Sequence, residues 1–235
     1  DKFTFSSVFT FDEKMNITSE WFGKTLIHSD RRFTYEEVQE ILDAGSGEFF
    51  EELLVLDKIA KKLRKDKFAE GAISFESDEV TFLLDEDGSP LEIIKKDRLD
   101  AHMLVEDFML LANKKVAKKI GKQKDGMQIP FVYRIHDHPD PEKLRDFSIF
   151  AKELGFDMKI DTPEQVAASF NSLNEAAAEN ETLKILEPLA LRTMAKAVYS
   201  TDNIGHYGLS FEYYTHFTSP IRRYADVLVH RILYK

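Results

Sequence analysis

The 235-residue chain contains no cysteine. That excludes a disulfide framework, a cysteine nucleophile and any thiolate metal site. It also lacks an apolar run of about 18 residues, the length a membrane-spanning helix requires. The opening residues DKFTFSSVFTFDEK contain no positive segment followed by an apolar stretch, so no signal peptide is visible. Together these absences predict a soluble, cytoplasmic protein. Positive charge is also in short supply: 32 Lys+Arg stand against 42 Asp+Glu, a formal net charge of −10. A nucleic-acid binder is usually basic, so such a partner would need a locally positive groove on an acidic body.

What is present is an ordinary globular mixture, 43% hydrophobic and 31% charged, without repeats or low-complexity linkers. β-formers crowd the beginning, at Phe3, Phe5 and Val8 to Phe11, and a second extended run covers Trp21 to His28. Thr34 followed three residues later by Glu37 has the spacing of a capping box, and Gly45 and Gly47 close the helix it opens. Leu53, Leu56, Ala60 and Leu63 recur at helical spacing up to about Gly71. Short strands are predicted over 72–75, 80–84 and 91–94, the last two joined by a hairpin loop at Asp85 to Gly88.

A long helix is predicted from about Arg98 to Ile120, with Val105, Met109, Ala112, Val116 and Ile120 as one apolar stripe that Leu104, Phe108 and Leu111 widen, so that it is mostly buried. Phe131 to Arg134 reads as a strand and Pro141 to Leu154 as a helix. The segment 163–198 reads as two helices, and 218–234 as a last one. The pattern is that of an α+β protein, a mixed sheet packed with several helices.

The most informative stretch is GHYGLSFEYYTHFTSPIRRYADVLVHR, residues 205–231. Ser219-Pro220 has the form of a helix start, a capping serine followed by proline at the first helical position. Ile221, Ala225, Leu228 and Ile232 would then form the buried stripe, and Arg222 and Arg223 would lie in the first turn. Cations are disfavoured there by about 0.3–1 kcal/mol each, because the helix N-terminus is already positive. Two of them together point to an anion held by both side chains and the free N–H groups around Ser219, and a guanidinium fork suits phosphate. The alternative is that Arg222 pairs with Asp226 one turn on and Arg223 is solvated.

This stretch resembles the signature near the end of the catalytic RNB domain of the ribonuclease II/ribonuclease R family. WFGKTLIHSDRRFTYEEVQ (21–39), GAISF (71–75), LVEDFMLLANKKVA (104–117) and VYRIHDHPDPEKL (132–144) are collinear with the same domain, in wording most like its bacterial ribonuclease R branch. The resemblance covers the whole chain and maps it to the larger, C-terminal part of the domain, with no separate second domain.

It implies an RNB-like fold and processive hydrolysis of single-stranded RNA from the 3′ end to nucleoside 5′-monophosphates, by a two-metal-type mechanism with Mg²⁺. By the same resemblance, Arg222 matches the catalytic arginine that neutralises phosphate charge. Tyr35 matches an aromatic at the 3′-terminal nucleotide, Glu106 a carboxylate at the terminal ribose, and Phe75 one of two aromatics clamping the stacked bases. An aromatic face stacks on any base, and a carboxylate near a 2′-OH distinguishes RNA from DNA. Asn113, seven residues after Glu106, would project from nearly the same side of the helix. Without the resemblance, Phe75 reads as a core residue, Tyr35 as a half-buried first-turn aromatic and Glu106 as a solvated one. His206 and His216 fit hydrogen-bonded structural histidines better than metal ligands, and His136 and His138 belong to a loop whose polar groups cap the next helix.

One element departs from the family pattern. The aspartate cluster D-x-x-x-x-x-D-x-D-D occurs nowhere in the chain: Asp85, Glu86 and Asp87 sit in a hairpin turn, Asp137 and Asp140 in a loop. The expectation is therefore a piece of an exoribonuclease that carries the arginine and part of the RNA cleft. It would lack the metal ligands, an N-terminal RNB segment, and the cold-shock and S1-type domains, and by itself it would be inactive. Two competing readings are a non-catalytic RNA-binding or scaffold protein of the same shape, and a protein-interaction domain with no phosphate site.

Overall fold

A computed structural model describes residues 1–74, 80–85, 87–95, 98–121 and 130–234. Strands β1 (Lys2–Phe11) and β2 (Ile17–Ile27) pair antiparallel, with Phe3 opposite Leu26 and Val8 opposite Trp21. Helix α1 (Tyr35–Ala44) begins at the capping box read from the sequence. The Thr34 hydroxyl accepts from Glu37 N–H, and the Glu37 carboxylate accepts from Thr34 N–H. It ends at Gly45, whose φ of 65° is the left-handed conformation that glycine adopts without strain.

Helix α2 (Phe50–Ala69) packs on α3 (Asp100–Gly121), and the hairpin β3 (Val80–Leu84) and β4 (Pro90–Lys95) lies between them in the chain. Strand β5 (Tyr133–Ile135) pairs antiparallel with β6 (Val198–Ser200). Between those strands come α4 (Pro141–Glu153), α5 (Pro163–Glu179), α6 (Glu181–Lys184) and α7 (Leu186–Thr193). The chain closes with α8 (Tyr224–Tyr234). This is the α+β class expected.

Two apolar clusters hold these elements. One is built by α4 to α7 around Leu144, Phe147, Phe170, Leu173 and Leu186, with Ile73 added. The other joins α3, β5 and α8 through Val116, Ile120, Phe131, Phe217 and Val229, and Phe5 and Phe22 of the hairpin pack against it. Burying each such large side chain is worth about 1.5–3 kcal/mol.

Four expectations are corrected. Residues 72–74 are not a strand. Among the described residues no strand pairs with them; instead Ile73 N–H bonds the Gly208 carbonyl, and two amide side chains serve Ala72 and Ser74: Asn171 Oδ1 accepts from Ser74 N–H at 2.9 Å, Asn171 Nδ2 donates to Ala72 C=O at 2.9 Å, and Asn174 donates to Ser74 C=O. The stripe of α3 differs at its start. Leu104, Leu111, Ala112, Val116 and Ile120 are buried as expected, but Val105 is exposed and Asp107 is buried. The cause is an ion pair, Arg64 Nε to Asp107 at 2.9 Å, which puts a polar residue inside the α2–α3 contact.

The segment 163–198 holds three helices and a strand instead of two helices, because Asn180 breaks the first. Its backbone is extended, and its side chain caps Thr182 N–H. Finally, α8 starts at Tyr224, not near Ser219. Arg222 and Arg223 N–H both bond the Ser219 carbonyl, which makes a separate turn, and Ile221 is 97% exposed.

Candidate RNA-binding site

The site begins where α1 meets the first turns of α3. Gln39 Oε1 accepts from Ala101 N–H at 3.2 Å, which docks the two helices. Tyr35, the first residue of α1, then stacks its ring on His102 at 4.1 Å and 22°. The tyrosine is 43% exposed, so its other face is available. Glu106 lies four residues after His102, hence on the same face of α3, and bonds Arg98 at 2.5 Å. Tyr35, His102, Glu106 and Arg98 thus form one contiguous outer patch.

Beside it runs the irregular segment 205–223, held from inside by polar side chains. Asn113 is 2% exposed, so it points inward, unlike Glu106, and does not share the outer patch as expected. It donates to the Tyr214 hydroxyl at 3.3 Å and accepts from Phe217 N–H at 2.9 Å. Thr215 Oγ1 donates to Val132 C=O at 2.6 Å. His136 Nε2 donates to Ala195 C=O at 2.8 Å, which leaves Nδ1 to accept from Gly208 N–H at 2.9 Å. A Cβ on Gly208 would stand 3.0 Å from that Nδ1, so the close approach requires glycine. As expected, the His136–His138 loop ends in a cap: Asp140 accepts from Glu142 and Lys143 N–H at the start of α4.

The arginines do not form the expected pair. Arg223 Nε bonds both oxygens of Asp226, at 2.8 and 3.0 Å, and its Nη2 reaches Thr218 Oγ1 at 3.4 Å. Asp226, not Arg222, is therefore the partner that matters, and it is fully buried. Arg222 is exposed and has no hydrogen bond or ion pair from its side chain among the described residues. Ser219 contributes its carbonyl to the turn and caps nothing with its hydroxyl among those residues. Phe75 lies outside the described residues.

Burial and neighbouring charge keep the local imidazoles neutral. His206 is pushed down to about 3, by burial first and then by His136 beside it. His216 is pushed down to about 4 by burial and then by Arg223, with Arg134 and Arg222 adding to the effect. Its Nδ1 is hydrogen-bonded to the Tyr199 hydroxyl at 2.7 Å, and the Tyr199 ring lies 4.9 Å from the Arg134 guanidinium. Burial raises the Tyr214 hydroxyl, whose surroundings include both Glu106 and Arg223. Its hydrogen bond with Asn113 ties the irregular segment to α3, the helix that carries Glu106.

Sequence reasoning missed Arg134, Tyr199 and His102. For Arg134 a signal existed: it is a polar residue in the apolar strand run FVYRI, on the opposite face to Tyr133. Tyr199 lay just beyond the segment 163–198 read as helices and was assigned to no element. His102 stood unmarked on a helix, with no cue that it would meet Tyr35.

The residues fit a single-stranded nucleic acid: an aromatic platform, a carboxylate for a hydroxyl, and a cation for phosphate. They do not fit a hard divalent cation. Among the described residues no three His, Asp or Glu side chains converge on one point. The nearby carboxylates are already bound, Asp226 by Arg223, Glu106 by Arg98 and Asp107 by Arg64.

The RNB domain family matches residues 1–235, and the chain belongs to that family. Among its relatives, ribonuclease R of Chlamydia pneumoniae is 36% identical over the whole of this chain and 34% of its own length. DIS3-like exonuclease 2 of Schizosaccharomyces pombe is 36% identical over 92% of this chain and 25% of its own. Mycoplasma genitalium RNase R in complex with ribose methylated single-stranded RNA superposes with a TM-score of 0.87 at 28% identity, over 99% of this chain and 36% of that one. The chain thus spans about a third of the ribonuclease R proteins it matches.

Proposed function

We propose that this chain is part of an exoribonuclease that degrades single-stranded RNA from its 3′ end to nucleoside 5′-monophosphates, and that it supplies the substrate-holding half of that site. The observation that carries this reading is Arg222. It is an exposed guanidinium, with no hydrogen bond or ion pair among the described residues, on a turn anchored by the Arg223–Asp226 pair, and the segment that carries it is tied through Tyr214 and Asn113 to α3, which holds the Tyr35–His102–Glu106 patch.

In this reading Tyr35 stacks on a terminal base, and one oxygen of Glu106 accepts from a 2′-OH while Arg98 orients the other. Arg222 neutralises charge on the reacting phosphate. The family resemblance implies magnesium, which would activate water when bound. Since the side chains described do not fit it, this chain alone binds RNA without cleaving it.

The test is a labelled single-stranded RNA with Mg²⁺. Salt-sensitive binding that Arg222→Ala weakens, without release of monophosphates, is the expected result. Cleavage by the purified chain overturns the claim of inactivity, and absence of RNA binding overturns the reading as a whole.

A further inference from the structure

Arg134 lies on β5 and is half-buried, yet its side chain makes no hydrogen bond and no ion pair among the described residues. A guanidinium taken partly out of water without a counter-charge is unfavourable unless something else meets it. Its immediate neighbourhood makes the imbalance larger. The charges acting most strongly on His216 are those of Arg223, Asp226, Arg134 and Arg222, three cations against one anion, and that anion is taken by Arg223. On a chain with a net charge of −10 this excess is a local construction.

The guanidinium is also held in place. Arg134 sits opposite Tyr199 in the β5–β6 register, and its N–H bonds the Tyr214 carbonyl at 2.9 Å. The Tyr199 ring contacts its guanidinium, and the Tyr199 hydroxyl is in turn tied to His216. Contact with an aromatic face occupies the plane of a guanidinium and leaves its edge donors free, the donors that grip phosphate oxygens as a fork.

We propose that Arg134 is a second phosphate-binding residue of this site, oriented by Tyr199, so that the site holds ribonucleotide phosphate with two arginines, Arg134 and Arg222. The proposal rests on the ribonuclease reading above and names a further contact within it. The excess of two positive charges matches either two neighbouring phosphodiesters of a strand or one dianionic nucleoside 5′-monophosphate.

Anisotropy of a short fluorescein-labelled oligoadenylate, titrated with the full chain over a range of salt, tests it. Arg134→Gln is expected to weaken binding about tenfold and to flatten the slope of log affinity against log salt by about 0.7, the value for one lost single-strand phosphate contact. Arg134→Lys, which keeps the charge without the fork, recovers part of the affinity. Arg145→Gln, an exposed arginine on α4, leaves both quantities unchanged.

Adenosine 5′-monophosphate that displaces the oligonucleotide assigns the contact to a terminal phosphate. Failure to displace assigns it to the strand. If Arg222→Ala weakens binding and Arg134→Gln does not, the proposal falls and the ribonuclease reading stands. An Arg134→Gln loss with an unflattened salt slope and a lowered urea midpoint shows a packing role only and also overturns it. A wild-type chain that binds no RNA takes down both.

Discussion

Around Leu173 the interior is apolar and regular. Helices α4 to α7 meet there through Phe147, Phe170, Leu183 and Leu186, and their ends are closed by side-chain caps at Asp140, Thr162 and Asn180. Around Asn113 the interior is polar and irregular. The backbone of 205–223 forms little regular structure: Asn113 and His136 accept from its Phe217 and Gly208 N–H groups, Thr215 ties it to the Val132 carbonyl, and Asp226 holds the Arg223 side chain. The first region turns hydrophobic area into stability. The second holds at a fixed position an arginine, Arg222, with no hydrogen bond or ion pair among the described residues. Satisfied buried polar groups make a rigid frame, and left without a partner they are destabilising; among the described residues His206 Nδ1 is the exception in this segment, buried and unbonded, instead of the hydrogen-bonded histidine expected.

That contrast can be broken from either side. Phe170→Ala in the apolar region should cost about 4 kcal/mol of stability, read from urea denaturation, while RNA affinity measured below the transition stays unchanged. A matching loss of affinity would show that the two regions are not separable. Asp226→Ala should cost about 3 kcal/mol, because Arg223 is left partly buried and unpaired, and should also abolish RNA binding as the arginine turn loosens. If binding survives intact, the pair is not what fixes Arg222.

Asn113→Ala should cost about 2 kcal/mol, since the Phe217 N–H loses a buried acceptor. Its effect on RNA should fall between those of the first two variants, as anisotropy would show.

The pH dependence sharpens the comparison further. His206 and His216 are held neutral in the fold, with values pushed down to about 3 and about 4. The unfolded chain takes up these protons below about 6.5 and the native state does not. Their contribution is therefore fully present above about 6.5 and is lost as pH falls toward 4 and 3. The denaturation midpoint should decline over that range, and less steeply in His206→Gln. An unchanged slope would show that His206 is not a neutral buried group. Thr34→Ala, outside both regions, should cost only about 1 kcal/mol, visible as a small shift in the same midpoint.

Most of the helical part of the fold was legible in advance because its signals are local. A capping box, a Pro after a capping Asp or Thr, and apolar spacing all act within one turn. Two of the failures come from a partner distant in sequence, and a third from a local pair that outweighs the usual helix signal. Residues 72–74 resembled a strand, but α5 amides took the place of a neighbouring strand. Val105 looked buried, but Asp107, paired with Arg64 of α2, takes the buried place there. Ser219-Pro220 had every local mark of a helix start, yet the Arg223–Asp226 pair begins the helix at Tyr224.

At the site, Tyr35, Glu106 and Arg222 were found by resemblance. The grouping of Tyr35 with Glu106 through His102, and of Arg134 with Tyr199 and His216, was not, since those residues lie on different elements.

By itself, then, the sequence determined the α+β class, most helix boundaries, family membership and the residue types of the site proposed to bind RNA, because each is encoded in spacing along the chain. Tertiary structure alone decided which arginine is free and which is bound. A guanidinium's role depends on whether a carboxylate stands within hydrogen-bond reach, and here Asp226 stands beside Arg223, while Arg222 and Arg134 have no carboxylate partner among the described residues.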